Sequence, residues 1–232
     1  MKIRQLKLRT NHLEDMKTFY SEVLQMPVIE ESDTSFAVSA GESVISFENN
    51  SQHVFYHYAF YVDELHFGRV LDTIQAHVPL LQDEEGQTEF FSGLWQRKQL
   101  YFRDPQGNIL EILPSGERSA LENGWLRVQE IGLPAEHIDE LRFQIHMIKD
   151  EMARASETIA FYGDSYGVFV LVQEGRAWFP TEEAAIASPV EVVIEHDQPL
   201  ETLHYSYTGA CRRRLHHRLQ FLRGEIQTIP RA

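Results

Sequence analysis

An α+β fold built from a repeated strand–helix–strand–strand–strand unit is predicted for this chain by two observations. A strand with one apolar face is followed at once by apolar residues at helical spacing. This order begins four times, at Gln5, His57, Glu130 and His204, with separations of 52, 73 and 74 residues. Recurrence at a long period is the mark of an internally repeated architecture.

In the first unit Leu6 and Leu8 alternate with Gln5, Lys7 and Arg9, which gives a strand with one buried face. Leu13, Met16, Tyr20, Val23 and Leu24 then follow helical spacing. Three short strands are expected near 28–31, 35–39 and 43–48, with "SAGES" as a turn. The second unit opens with "HYAFYVDELHFGRVLDTIQ", a strand and then a helix whose apolar face is Phe67, Leu71, Ile74 and Val78. Its further strands are expected near 79–82, 99–103 and 108–113. The third opens with "EIGLPAEHIDELRFQIHMI", with Ile138, Leu141, Ile145 and Ile148 inward and strands near 157–162, 167–173 and 189–195. The fourth, "HYSYTGACRRRLHHRLQFL", supplies a strand and a helix and then stops. The polar stretch "PSGERSALENG" at 114–124 reads as a linker. It separates an expected first domain, 1–115 (modules 1–52 and 53–115), from a divergent second domain, 124–232, with an incomplete last module.

Composition narrows the function. The 232 residues are 43% hydrophobic and 24% charged, enough apolar mass for one large or two small cores. A net charge of −14 argues against nucleic acid or an anionic membrane as partner. The basic cluster "CRRRLHHR" carries Leu215, Leu219 and Leu222 at helical spacing and reads as the solvated side of a helix. A single Cys, Cys211, permits no disulfide within the chain and fits a reducing cytoplasm. The N-terminus lacks the apolar region of a secretion signal, and no apolar run approaches the ~20 residues of a membrane span.

The stretch "YFRDPQGNILEIL", residues 101–113, holds the strongest chemical signal. Pro105 and Gly107 suit a tight turn, and Asp104 and Asn108 can bond the nearby backbone. The strand that follows carries one acid, Glu111, among Ile109, Leu110, Ile112 and Leu113. A lone carboxylate there is costly unless something compensates it, and a metal ion is one such compensator.

Together with "QLKLRTNHLEDMKTFY" and "HYAFYV", this stretch resembles the vicinal-oxygen-chelate superfamily, which includes glyoxalase I, bleomycin- and fosfomycin-resistance proteins and extradiol dioxygenases. The resemblance covers residues 1–113; beyond 124 it is one of element order. It implies βαβββ modules paired into a cupped mixed sheet around a divalent metal (Zn, Ni, Mn or Fe), with ligands on the first and last strand of each module. Those positions are Gln5, His57 and Glu111, with Ser46 or Glu48 at the fourth place. It further implies Glu48 and Tyr101 as catalytic groups and Arg9 as a contact for an anionic substrate; Tyr61 and Trp95, as aromatics suited to line a pocket, are read as further substrate contacts. In the third and fourth modules Glu130 and His204 occupy the matching first-strand positions, with Glu191 or Glu195 as a third group.

Taken singly, these residues have other readings. His57 fits a hydrogen-bonded core imidazole, Glu111 a salt bridge to Arg103 or Arg9, and Tyr101 an aromatic kept for packing. The reading adopted is a metal-dependent, glyoxalase-like lyase or isomerase acting on a small oxygen-bearing molecule, as a monomer or homodimer. Two alternatives stand beside it. One is a metal-free binding protein of the bleomycin-resistance type, its pocket lined by Phe55, Tyr61, Phe90, Phe91, Trp95 and Tyr101. The other is an extradiol ring-cleavage dioxygenase.

Overall fold

Every residue from His57 to Asp63 is buried, and the two sheets of the protein are arranged around this strand. The structure is a computed structural model that describes residues 1–146, 151–195 and 201–205. The first unit is β1 (Lys2–Thr10), α1 (Leu13–Thr18) with a π-helical turn over Phe19–Val23, β2 (Val28–Ser32), β3 (Ser35–Ala40) and β4 (Ser43–Asn49). The second is β5 (His57–Asp63), α2 (Glu64–His77), β6 (Phe90–Ser92), β7 (Arg97–Arg103) and β8 (Ile109–Ser115). The third is β9 (Trp125–Ala135), α3 (Ile138–His146), β10 (Glu151–Ser156), β11 (Ile159–Asp164) and β12 (Gly167–Gln173). Two further strands follow, β13 (Val190–Glu195) and β14 (Glu201–Tyr205).

The α+β class and the repeated βαβββ unit are present, with local differences. The strand expected near 79–82 is reduced to a bridge between Leu80 and Phe102, and β6 takes its place in the unit. The third unit is complete at Gln173, so the expected strand near 189–195 is β13, outside that unit. His204 lies on β14. The helix expected after it, the basic cluster, Cys211 and Ile148 lie outside the described residues.

Each unit places its strands in one order: first, last, third, second. The eight-stranded sheet runs β10-β11-β12-β9-β5-β8-β7-β6, and the six-stranded sheet runs β14-β13-β1-β4-β3-β2. Unit two is therefore joined to unit three, through antiparallel β5 and β9, while β1 of unit one takes β13 on its free edge. The sequence reading instead paired units one and two in a single cup. The stretch 114–124 accounts for the difference. Asp63 accepts Ser119 N at 3.0 Å and Arg118 Nη1 at 2.9 Å. Buried Arg127 takes both oxygens of Glu117 at 2.7 and 2.8 Å. These bonds fold the chain back so that β9 returns beside β5; the stretch is a tight return, not a spacer.

Alternation on β5 divides its burial between two cores. Tyr58, Phe60 and Val62 join the helices, Leu6, Phe47 and Trp125 in the main core. Ala59 and Tyr61 face the other way, with Tyr101, Val170 and Trp178. Both faces of the sheet are covered, so the strand reads as an unbroken apolar run. The second face is concave in effect: it encloses a cavity of about 520 Å³. Among the described residues no helix is long and apolar enough to cross a membrane.

Candidate metal centre

Strand register brings three ionisable side chains to one end of this cavity. Ala59 on β5 lies opposite Glu111 on β8 and opposite Glu130 on β9. Its methyl group leaves room for the two flanking carboxylates to bend toward each other over the central strand. His57 precedes Ala59 by two residues and so shares its face. One ligand atom from each of His57, Glu111 and Glu130 lies within 4.8 Å of the others. All three residues are nearly inaccessible, at 6%, 4% and 5% exposure.

The surrounding hydrogen bonds orient these groups. His57 Nδ1 lies 3.1 Å from the Ile109 carbonyl oxygen, so Nδ1 carries the proton and donates it there. That leaves a lone pair on Nε2, which faces Glu111 Oε2 at 3.7 Å. Burial drives the His57 pKa down to about 4, so the imidazole is neutral at pH 7 and this approach is not an ion pair. The Trp95 indole N–H donates to Glu130 Oε1, and Tyr101 stands beside Glu111 as its register partner on β7. Burial raises the pKa of Glu111 well above the usual carboxylate value, and the charge of Glu130 raises it further. Burial raises Glu130 as well, against the lowering effect of the Trp95 bond.

Two buried carboxylates and an imidazole lone pair aimed at one point are short of positive charge. The donor set fits a divalent cation of the Zn, Ni, Mn or Fe kind, with the Ile109 carbonyl fixing the imidazole tautomer from behind. The repeat also locates the fourth position. Glu111 is in register with Ala59, two residues after His57; the equivalent partner of Gly132, two residues after Glu130, is Val170. An apolar side chain stands where a fourth ligand would, which leaves three protein ligands and open coordination positions.

The other residues singled out from the sequence fall into two groups. Tyr101 lines the cavity, and Trp95 stands behind Glu130. Tyr61 is two residues beyond Ala59 on the same face, packed edge-on against Trp95 at 5.6 Å and under Arg127 at 5.1 Å. Gln5, Arg9 and Glu48 lie in the other sheet. Gln5 sits on β1 between Val44 and Val193, and Arg9 and Glu48 are exposed register partners on β1 and β4. They stand apart from the cavity because β5 borders β9, not β1; Glu130 is the first-strand residue that arrives instead of Gln5. Ser46, the other fourth-place residue, hydrogen-bonds the Leu6 carbonyl at 3.4 Å. Glu191 and Glu195 pair with Lys7 and Arg4, and Phe91 is exposed. The sequence carried a usable signal for Glu130, its first-strand position in unit three. It carried no comparable signal for Arg176, Trp178 and Phe179, which line the cavity from the segment after β12.

No curated protein sequence matches the chain. Among solved structures, it is similar to a dioxygenase candidate from Bacillus subtilis subsp. subtilis str. 168, at 16% identity and a TM-score of 0.59. That match covers 74% of this chain and 63% of the other, so the chain spans less than two thirds of that relative's length. It is also similar to an E144Q mutant of glyoxalase I from Zea mays, at 12% identity and a TM-score of 0.50, covering 74% and 68% of the two chains. At these identities the likeness is one of fold. Residues 2–112, units one and two, match the model of the Glyoxalase/Bleomycin resistance protein/Dioxygenase superfamily, and over that stretch the chain is similar to it.

Proposed function

We propose that the chain is a metal-dependent enzyme of the glyoxalase-like lyase or isomerase type, with His57, Glu111 and Glu130 holding a divalent cation. The observation that carries this reading is the convergence of those three side chains within 4.8 Å at the end of a cavity of about 520 Å³. That volume is in the ~300–1,000 Å³ range of small-molecule sites. When bound, a divalent cation supplies Lewis-acid polarisation of a substrate oxygen.

The chain's own groups supply the rest. Glyoxalase-like chemistry needs a second acid to take a proton from carbon, and Glu130 is a second buried carboxylate on the cavity. Its Oε1 is held by Trp95, while Oε2 has no hydrogen-bond partner among the described residues and is the atom assigned to accept the proton. Tyr101 stands beside Glu111 as its register partner on β7, and Leu94, Ile159, Phe161 and Val170 supply apolar walls to the cavity. The ring-cleaving dioxygenases that the sequence resembles use two His and one Glu, whereas this cluster has one His and two Glu, which favours proton transfer over ring cleavage.

Metal-stripped protein reloaded separately with Mn, Fe, Ni and Zn is expected to retain about one ion per chain by elemental analysis. The His57→Ala, Glu111→Ala double variant, checked for folding by circular dichroism, is expected to retain none. Reloaded protein should incorporate solvent deuterium at the substrate carbon during turnover of a hemithioacetal panel. No metal uptake by wild type would remove the enzyme reading in favour of the metal-free binding protein. Metal uptake with oxygen consumption and no deuterium incorporation would favour the dioxygenase.

A further inference from the structure

The segment from Glu174 to Ser188 lies outside the stretch that matches the family model, and it forms one wall of the cavity. It is an ordered hairpin: Gly175 N bonds Ala185 O at 2.8 Å, Ala185 N bonds Arg176 O at 2.8 Å, and Trp178 N bonds Glu183 O at 2.9 Å. Glu183 pairs with Arg103 at the end of β7, which fixes the hairpin to the cup. Arg176, Trp178 and Phe179 all line the cavity.

Trp178 is built into the site. Its indole lies 4.6 Å from the His57 ring, centroid to centroid. It occupies the space above Gly132, where a Cβ would come within 2.7 Å of the indole; any side chain at 132 would displace it. Trp178 is 4% exposed, yet its Nε1 has no hydrogen-bond partner among the described residues. A buried donor left unmade costs about 1–3 kcal/mol. No described residue offers it an acceptor, and Trp178 lines the cavity, so an oxygen on a bound ligand is one group that would supply it.

Arg176 is the one cationic side chain among the described residues that line the cavity. Its Nε bonds Thr158 Oγ1 at 3.2 Å and its Nη1 bonds the Ala177 carbonyl at 3.1 Å. Its Nη2 has no partner, and no carboxylate pairs with it, among the described residues. Charge balance then selects the ligand. Two carboxylates and a divalent cation cancel and His57 is neutral, so Arg176 leaves the loaded cavity with one positive charge. Tyr101, Phe161, Trp178 and Phe179 supply aromatic walls, with Phe179 stacked edge-on against Phe90 at 4.7 Å.

We infer that this hairpin selects the substrate: a small monoanion bearing a ring, its anionic group on Arg176 and a neutral or metal-facing oxygen on the Trp178 indole N–H. The inference deepens the proposed function by naming its substrate class, and its charge balance rests on that reading.

Mandelate, mandelamide and lactate serve as probes, measured by calorimetric titration on both metal-loaded and metal-stripped protein. They separate the anion (mandelate against mandelamide) from the ring (mandelate against lactate). Wild type is expected to bind mandelate about tenfold or more tightly than mandelamide, the scale of a charge-assisted contact. Arg176→Gln should erase that preference while keeping metal content and melting temperature, and Arg176→Lys should restore part of it. Trp178→Phe keeps a ring and removes the N–H; it should weaken mandelate and mandelamide alike, by about fivefold to tenfold. The inference is overturned if wild type does not bind mandelate or binds both compounds equally. It is overturned equally if Arg176→Gln keeps the preference or lactate matches mandelate. Failure of the metal reading is separately visible as no metal uptake, and the Arg176 comparison is still read in the metal-stripped arm.

Discussion

Glu130→Gln is expected to remove bound metal as completely as Glu111→Gln, while Gln5→Ala and Glu48→Gln leave metal content unchanged. The contrast follows from strand pairing. β5 has two neighbours, β8 and β9, and each contributes one carboxylate opposite Ala59. β1 and β4 belong to the other sheet, where Gln5 and Glu48 have their own neighbours. Gln is nearly isosteric with Glu and retains an acceptor for the Trp95 indole, so the fold has little reason to change. What is lost is the negative charge, at a position that is nearly inaccessible in the fold. Altering partners of ligands typically costs about 10- to 100-fold in metal affinity, and loss of a charged ligand should exceed the upper figure. Competition against a chelator of known affinity, with elemental analysis on the same samples, measures the effect. Loss of metal in Gln5→Ala with retention in Glu130→Gln would restore the ligand set first read from the sequence and end the one drawn from the structure.

That pair of variants also marks where the sequence was legible and where it was not. Local signals were reliable. Alternation on Leu6 and Leu8, helical spacing through Phe67 and Ile74, and a turn at Asp104–Asn108 all produce the expected elements. Asp104 caps that turn by accepting from Asn108 N at 3.0 Å, as its composition implied. His57 and Glu111 were visible because both belong to one unit, where first and last strands are neighbours by construction. Which unit faces which is a long-range matter, and no periodicity encodes it. The deciding contacts are specific: Glu117 with buried Arg127, and Asp63 with Ser119 and Arg118. In the sequence these residues look like ordinary linker polarity. Trp178 was illegible for a related reason, since its place beside His57 depends on the absence of a side chain at Gly132, 46 residues earlier in the chain.

Metal affinity is expected to rise steeply with pH, and the metal-free and metal-loaded proteins should respond to pH in opposite senses. Both carboxylates have pKa values raised above 4.5 in the fold by burial, and Glu111, the more strongly shifted, is raised further by the charge of Glu130. A raised carboxylate stabilises the fold below its unfolded pKa and loses that contribution as pH rises through the raised value. The metal-free protein is therefore expected to lose stability as pH climbs from about 4.5 toward and beyond neutrality, because two like charges are being formed in a buried site. His57 acts in the other direction at the acidic end. Its pKa is lowered from 6.5 to about 4, so its contribution is present above 6.5 and is lost as pH falls toward 4. At pH 7 the imidazole has no proton to surrender, and the protons displaced by a metal come from the carboxylates. Each displaced proton makes apparent affinity change about tenfold per pH unit. With both carboxylates titrating, the slope approaches a hundredfold per unit. Calorimetric titrations in buffers of differing ionisation enthalpy should count between one and two protons released per metal, and the rise in melting temperature on metal addition should grow with pH. An affinity independent of pH, with no proton release, would mean that the ion is held somewhere other than between Glu111 and Glu130.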